Sequence, residues 1–172
     1  MRRSQLFPLP EYFDRYINKC DDVELMEALR ISIEELDRFP VTKWNALGDK
    51  VYAPGKWTVK EILQHLIDTE RIFMYRALTF ARNEKQQPPS FEENAYVRES
   101  EANTRTVEEL VVELRTVHVA IKTMFESFTP AMLSRTGKGF KGEYSVASIG
   151  FIIAGHQRWH LQVMEEKYYS LL

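Results

Sequence analysis

An all-α four-helix bundle with one long crossover connection is the fold this sequence predicts. Three observations predict it. Apolar residues recur at helical spacing in four segments, hydroxyl-bearing caps stand ahead of three of them, and a long polar stretch separates the second segment from the third.

Residues from about Pro8 to Cys20 read as a short leading helix, with Tyr12, Phe13, Tyr16 and Ile17 on one face, strapped against the bundle. The first long helix follows from about Asp22 to Arg38. Leu25, Leu29, Ile33 and Leu36 form its inward stripe, Asp21 or Asp22 is placed to cap it, and Phe39-Pro40 stops it. Gly48, Pro54 and Gly55 mark Val41 to Trp57 as a connection, which delivers Trp57 next to an N-cap at Thr58. Glu61 completes a capping box with Thr58, and the second long helix runs from about Val59 to Arg82.

From Asn83 to Arg105 the chain is polar, contains Pro88-Pro89 and shows neither helical nor strand period. That length suits a crossover spanning the bundle, which lets the second and third helices run parallel, with Phe91 and Tyr96 as its anchors. Thr106 and Glu109 form another capping box ahead of a stripe of Leu110, Leu114, Val117, Ile121, Met124 and Phe125, and Phe128-Thr129-Pro130 ends that helix. Glycines at 137, 139 and 142 suggest a turn or small hairpin over Ser134 to Tyr144, after which Ser145 caps a last helix that ends near Tyr168.

At 172 residues the chain can bury one substantial core, so a single domain over 1–172 is expected. A net charge of -2, with Lys and Arg scattered among acidic residues, argues against a nucleic-acid partner. No apolar run approaches the length of a membrane span, so no membrane role is expected. The lone Cys20 and an N-terminal stretch without an apolar core lead to the expectation of a reduced, cytoplasmic protein.

The chemistry concentrates in Gly155-His156-Gln157-Arg158-Trp159-His160. Two imidazoles at i and i+4 share one face of a helix, and one helical turn thus offers two metal ligands. His65 on the second helix lies at similar depth if the second and fourth helices are antiparallel, and it would complete a three-nitrogen site. A lone histidine more often packs or caps than binds metal; three in register change that reading. Imidazole suits zinc and nickel first, with iron or manganese as further choices, and three such ligands leave a coordination position open. His118 borders the third helix's stripe as a fourth ligand, a donor behind the ligands or a structural residue, and the structural role is favoured. Glu61, Asp68 and Glu70 read mainly as capping or solvated carboxylates, with no clear catalytic base among them. Cys20 lies far in sequence from every histidine and is the weaker nucleophile candidate. His-Glu-x-x-His, di-iron Glu-x-x-His, P-loop and dinucleotide fingerprints are all missing.

The run from Gly55-Lys56-Trp57-Thr58 through Glu61 and His65 to Glu70, taken with Gly155-His156-Gln157-Arg158-Trp159-His160, resembles the DinB/YfiT-like superfamily over almost the whole chain. That resemblance implies up-down-down-up connectivity, a divalent metal held by His65, His156 and His160, and a homodimer. It also implies one of two activities, a thiol S-transferase using a low-molecular-weight thiol as cosubstrate or a metal-dependent hydrolase. The other class of function is a non-catalytic binding or stress-response module with a structural or vestigial metal site. Water access to the histidines separates the two, since a closed four-coordinate site signals structure and an open one signals catalysis.

Overall fold

The computed structural model describes residues 1–172. Four long helices carry the fold: α2 (Leu25–Leu36), α4 (Val59–Ala81), α6 (Val107–Glu126) and α8 (Val146–Lys167). Shorter elements connect them: α1 (Asp14–Ile17), α3 (Val41–Leu47), α5 (Glu93–Glu99), α7 (Pro130–Leu133), and a hairpin of β1 (Thr136–Gly139) and β2 (Gly142–Ser145). Helix α4 packs against α6 and α8, and α2 packs against the same two.

Side-chain contacts fix the directions. Phe80 at the end of α4 meets Tyr144 just ahead of α8, and Tyr168 just past α8 donates to the Trp57 carbonyl ahead of α4, so α4 and α8 are antiparallel. Arg105 ahead of α6 donates to Gln64 near the start of α4, whereas Glu70 and His118 pair further along both, so α4 and α6 are parallel. Leu25 packs at Gly150 and Ser32 meets Gln157, which makes α2 parallel to α8. The result is the up-down-down-up bundle.

Each long helix starts where its local chemistry places it. Thr58 Oγ1 accepts from Glu61 N at 3.1 Å and the Glu61 carboxylate accepts from Thr58 N at 2.7 Å, so two orphan donors of α4 are satisfied reciprocally. Thr106 and Glu109 do the same for α6, and Ser145 accepts from Ser148 N at the start of α8. Every residue of α8 from Val146 to Gln157 is buried, because α1, α2 and α4 enclose that half. A helix buried all round carries no polar face, which explains the run Ile149 to Ala154. One hydrophobic cluster links all four long helices, and no helix is long and apolar enough to cross a membrane.

Five local expectations need correction. The leading helix is only Asp14–Ile17, flanked by turns, and Tyr12 sits at φ 74°. The first long helix begins at Leu25 without a side-chain cap; Asp22 instead accepts from Ser4 N, and Asp21 pairs with Arg158. The connection after Pro40 contains α3, which buries Trp44 and Leu47 one turn apart, a signal too short to show a period. The polar stretch contains α5, capped by the Glu92 carboxylate, and a 3-10 turn at Ala102–Thr104. Its anchors are Val97 and Ala102, whereas Tyr96 is half exposed and stacks on Phe91.

The crossover also locks the entry to α4. Thr58 Oγ1 donates to Asn103 Oδ1 at 2.7 Å, and Asn103 Nδ2 donates to Glu61 at 3.2 Å. Opposite that entry, α1 lies so close to α8 that a Cβ on Gly155 would stand 1.8 Å from the Tyr16 carbonyl oxygen. Backbone cannot yield as a side-chain tip does, so Gly155→Ala is expected to lose about 1–3 kcal/mol of stability through overpacking. Urea unfolding monitored by circular dichroism checks this, and an unchanged midpoint would contradict the close approach.

Candidate metal centre

Antiparallel packing of α4 on α8 sets His65 opposite His156 and His160. His65 Nε2 lies 3.3 Å from His156 Nε2, and His160 Nε2 lies 3.1 Å from the same atom. All three ligand atoms fall within 4.8 Å of one another. Two Zn–N bonds of ~2.0–2.1 Å at a tetrahedral angle put their nitrogens about 3.3 Å apart, so this donor set fits a first-row divalent metal. Gln157 and Arg158, between the two histidines, point elsewhere. Gln157 donates to the Ser32 carbonyl and Glu35, and Arg158 ties α8 to Glu35, Asp21 and the Lys19 carbonyl.

The surroundings favour neutral imidazoles. Burial, followed by the neighbouring His160, lowers the His65 pKa to about 3, and burial lowers that of His160 to about 4. His156, buried and facing both partners, is pushed well below its ordinary value. Thr69 Oγ1 lies 3.3 Å from His65 Nδ1, one helical turn on. With Nδ1–H donating to that hydroxyl, Nε2 presents its lone pair to the other two rings. Trp57 tilts against His65 with centroids 4.7 Å apart, and Tyr16 stands edge-on to His156 at 4.9 Å.

Two cavities reach the cluster, and the consecutive residues Glu93 and Asn94 of the crossover line one each. One of about 270 Å³ includes His156, Tyr16, Thr69 and Phe73 in its wall. Another, of about 290 Å³, includes His160, Trp57 and Trp159.

His118 is not part of this cluster. Ser32 Oγ donates to the Leu29 carbonyl at 2.9 Å and lies 3.1 Å from His118 Nδ1, so it accepts from Nδ1–H. The His118 Nε2 then faces Glu70 Oε2 at 2.7 Å, close enough to pair but poorly aligned for a regular hydrogen bond. Glu70, which the sequence suggested was solvated, is fully buried. Burial raises its pKa against the opposing pull of His118. One proton shared between them leaves the pair neutral overall, whichever atom holds it.

The remaining candidates fall away from the cluster. Glu61 is held in its capping box, and Asp68 accepts from Gln64 at 2.9 Å beside the depression lined by Arg71 and Arg105. Cys20 is buried against the Phe151 carbonyl, and burial pushes its thiol up to about 12, so it is no thiolate nucleophile at neutral pH. Sequence reasoning passed over Tyr16 and Thr69 as site residues. Thr69 carried a usable signal, lying four residues after His65 on the same helix face.

Residues 24–164 match the family model described as the DinB superfamily. The chain belongs to the DinB superfamily. A protein of Geobacillus thermodenitrificans named "Putative metal-dependent hydrolase" is 27% identical over 112 residues, 65% of this chain. The match spans 59% of that relative's length. Among solved structures, YfiT from Bacillus subtilis, described as a probable metal-dependent hydrolase with an unusual four-helix bundle topology, superposes with a TM-score of 0.69. It shares 16% identity, covering 94% of this chain and 88% of that one, a likeness of fold.

Two outcomes follow from the site's geometry. Thr69→Val should keep the fold yet weaken zinc affinity ~10–100-fold, read by competition with a chromophoric chelator, because His65 loses the partner that orients it. In metal-free protein the folded-state histidine pKa values lie below the ordinary 6.5, so protons favour the unfolded chain. The stability contribution is therefore complete above about pH 6.5 and lost as pH falls through 4 toward 3. Urea midpoints across that range should decline in the wild type, and more shallowly in His65→Gln.

Proposed function

We propose that this DinB-superfamily protein is a metal-dependent enzyme of hydrolase or thiol S-transferase type, with His65, His156 and His160 as ligands of a divalent ion, zinc or nickel ahead of iron or manganese. The observation that carries the reading is three imidazole nitrogens converging within 4.8 Å of one another, two of the rings buried and the third half-buried, with His156 lining one cavity and His160 another. The name of the Geobacillus relative agrees with it. A divalent metal held there would lower the pKa of a coordinated water or thiol so that it attacks an electrophile at neutral pH.

The chain's own residues supply the setting. Thr69 orients His65, and the rings of Trp57 and Tyr16 fix the neighbouring imidazoles. Burial, then Tyr12, pushes the Tyr16 hydroxyl above its ordinary range, so it remains a neutral hydrogen-bond donor beside His156. Cavities lined by His156 and by His160 favour catalysis over a closed structural site, and His118 is committed to Glu70 and Ser32 rather than free as a fourth ligand. Two approaches also suit two reactants, which is how a low-molecular-weight thiol enters the proposal as cosubstrate. A homodimer in a reducing, cytoplasmic compartment completes the reading; the dimer rests on family resemblance alone.

Elemental analysis of wild type and His156→Ala, purified without chelator or nickel column, tests this directly. Near-stoichiometric metal is expected in the wild type. The variant should lose it, together with turnover on ester or thiol-plus-electrophile panels, while its helical circular dichroism persists. A wild type that cannot be loaded with zinc, nickel, manganese or iron would overturn the reading.

A further inference from the structure

The cavity beside His156 contains a charge that the metal chemistry does not use. Arg76, on α4, is only 2% exposed and forms part of that cavity's wall. Its Nη2 donates to the Pro89 carbonyl at 3.3 Å, its guanidinium lies 5.1 Å from the Phe73 ring centroid, and its Nε has no partner. No carboxylate of the chain pairs with it. Arg158 by contrast takes Glu35 and Asp21, and Arg105 takes Glu113, while the half-buried Arg3 and Arg135 reach only the neutral oxygens of Asn18 and Ala81; Arg76 is the most deeply buried of the five. A buried cation is costly unless an anion and hydrogen-bond acceptors reach it, and around Arg76 the chain supplies only neutral oxygens, the Pro89 carbonyl and the neighbouring Tyr144 hydroxyl.

The position is specific. His65, Thr69, Phe73 and Arg76 follow one face of α4, and the eleven steps from 65 to 76 rise roughly 16 Å. Side chains lean toward a helix's amino end, so the long Arg76 side chain reaches back toward the histidines. Between the two ends the wall is aromatic, with Phe13, Tyr16, Phe73, Phe91 and Phe140. A volume of about 270 Å³ lies just below the roughly 300–1,000 Å³ range of ligand sites, which suits a small molecule rather than a polymer.

We propose that this protein's substrate is a small, largely aromatic or apolar molecule bearing a carboxylate, which pairs with Arg76 while its reacting end lies beside His156. The reacting end rests on the metal-enzyme reading above; the carboxylate contact does not. One guanidinium balances a single negative charge, and its planar fork matches the two oxygens of a carboxylate. A phosphate dianion would leave excess charge beside Glu92 and Glu93, which also line the cavity. Glu92 is occupied in capping α5, and burial followed by Glu92 raises the Glu93 carboxyl, which weakens its competition for the cation.

Calorimetric titration with 3-phenylpropionate and its neutral amide, 3-phenylpropanamide, tests the contact. Full-length wild type, zinc-loaded and metal-free, is compared with His156→Ala, Arg76→Gln and Arg76→Lys. The carboxylate should bind at least ~tenfold tighter than the amide in the wild type, and in metal-free protein and His156→Ala as well. Arg76→Gln should abolish that preference without changing amide affinity, and Arg76→Lys should keep part of it. Equal affinities in metal-free wild type, or no carboxylate binding, would overturn the proposal. A preference present only with zinc would assign the anion to the metal and equally overturn it. Should Arg76→Gln not fold, the Arg76 Nε–H resonance of ¹⁵N-labelled wild type decides: it shifts with carboxylate and not amide if the proposal holds, and stays fixed if it does not. Loss of metal binding with the preference intact would instead refute the enzyme reading and leave the anion site standing.

Discussion

Three imidazole nitrogens held 3.1 and 3.3 Å apart across the α4–α8 seam impose the constraint on which the rest of this bundle depends. In a buried place such rings cannot all be charged, and neutral rings crowded nitrogen to nitrogen gain little from one another unless something accepts their lone pairs. The seam must therefore be rigid enough to hold them, and its framing shows how. Gly155 lets α1 close directly over α8 and press Tyr16 on His156. At the amino end of α4, the Thr58–Glu61 box and Asn103 fix the helix that carries His65.

That arrangement follows from the connectivity. With α4 and α6 parallel, the chain must return the length of the bundle between them, and the return path lies beside the seam. The crossover consequently does two jobs. Its far end clamps the start of α4, while Pro89, Phe91 and Glu93 form wall next to Arg76 and His156. A short hairpin between antiparallel neighbours would supply neither, so the unusual topology and the cavity share one physical origin.

Buried polar groups fall into two kinds in this interior. Glu70 lies 2.7 Å from His118, whose other ring nitrogen meets Ser32, so a buried carboxylate has a basic partner where α2, α4 and α6 join. Arg76 has no such answer from the chain. A buried charge with a partner of opposite sign within the chain differs in this respect from one without.

Much of this was legible in one dimension. The caps at Thr58, Thr106 and Ser145 and the apolar stripes of the long helices are local, depending on residues three or four apart, and the chain alone determined them. The i, i+4 spacing of His156 and His160 is local too, and with His65 it pointed to a shared site. Short helices such as α3 and α5 escaped notice because two turns bury too few residues to show a period. Glu70 looked like a surface carboxylate because nothing in its own stretch marks the helix face that His118 meets. Tertiary structure alone decided which faces oppose each other, that Arg76 has no counter-ion, and that two cavities end at the histidines. Each of those depends on groups separated by whole helices in the chain, whose meeting is set by crossing angles and loop paths that no local pattern encodes.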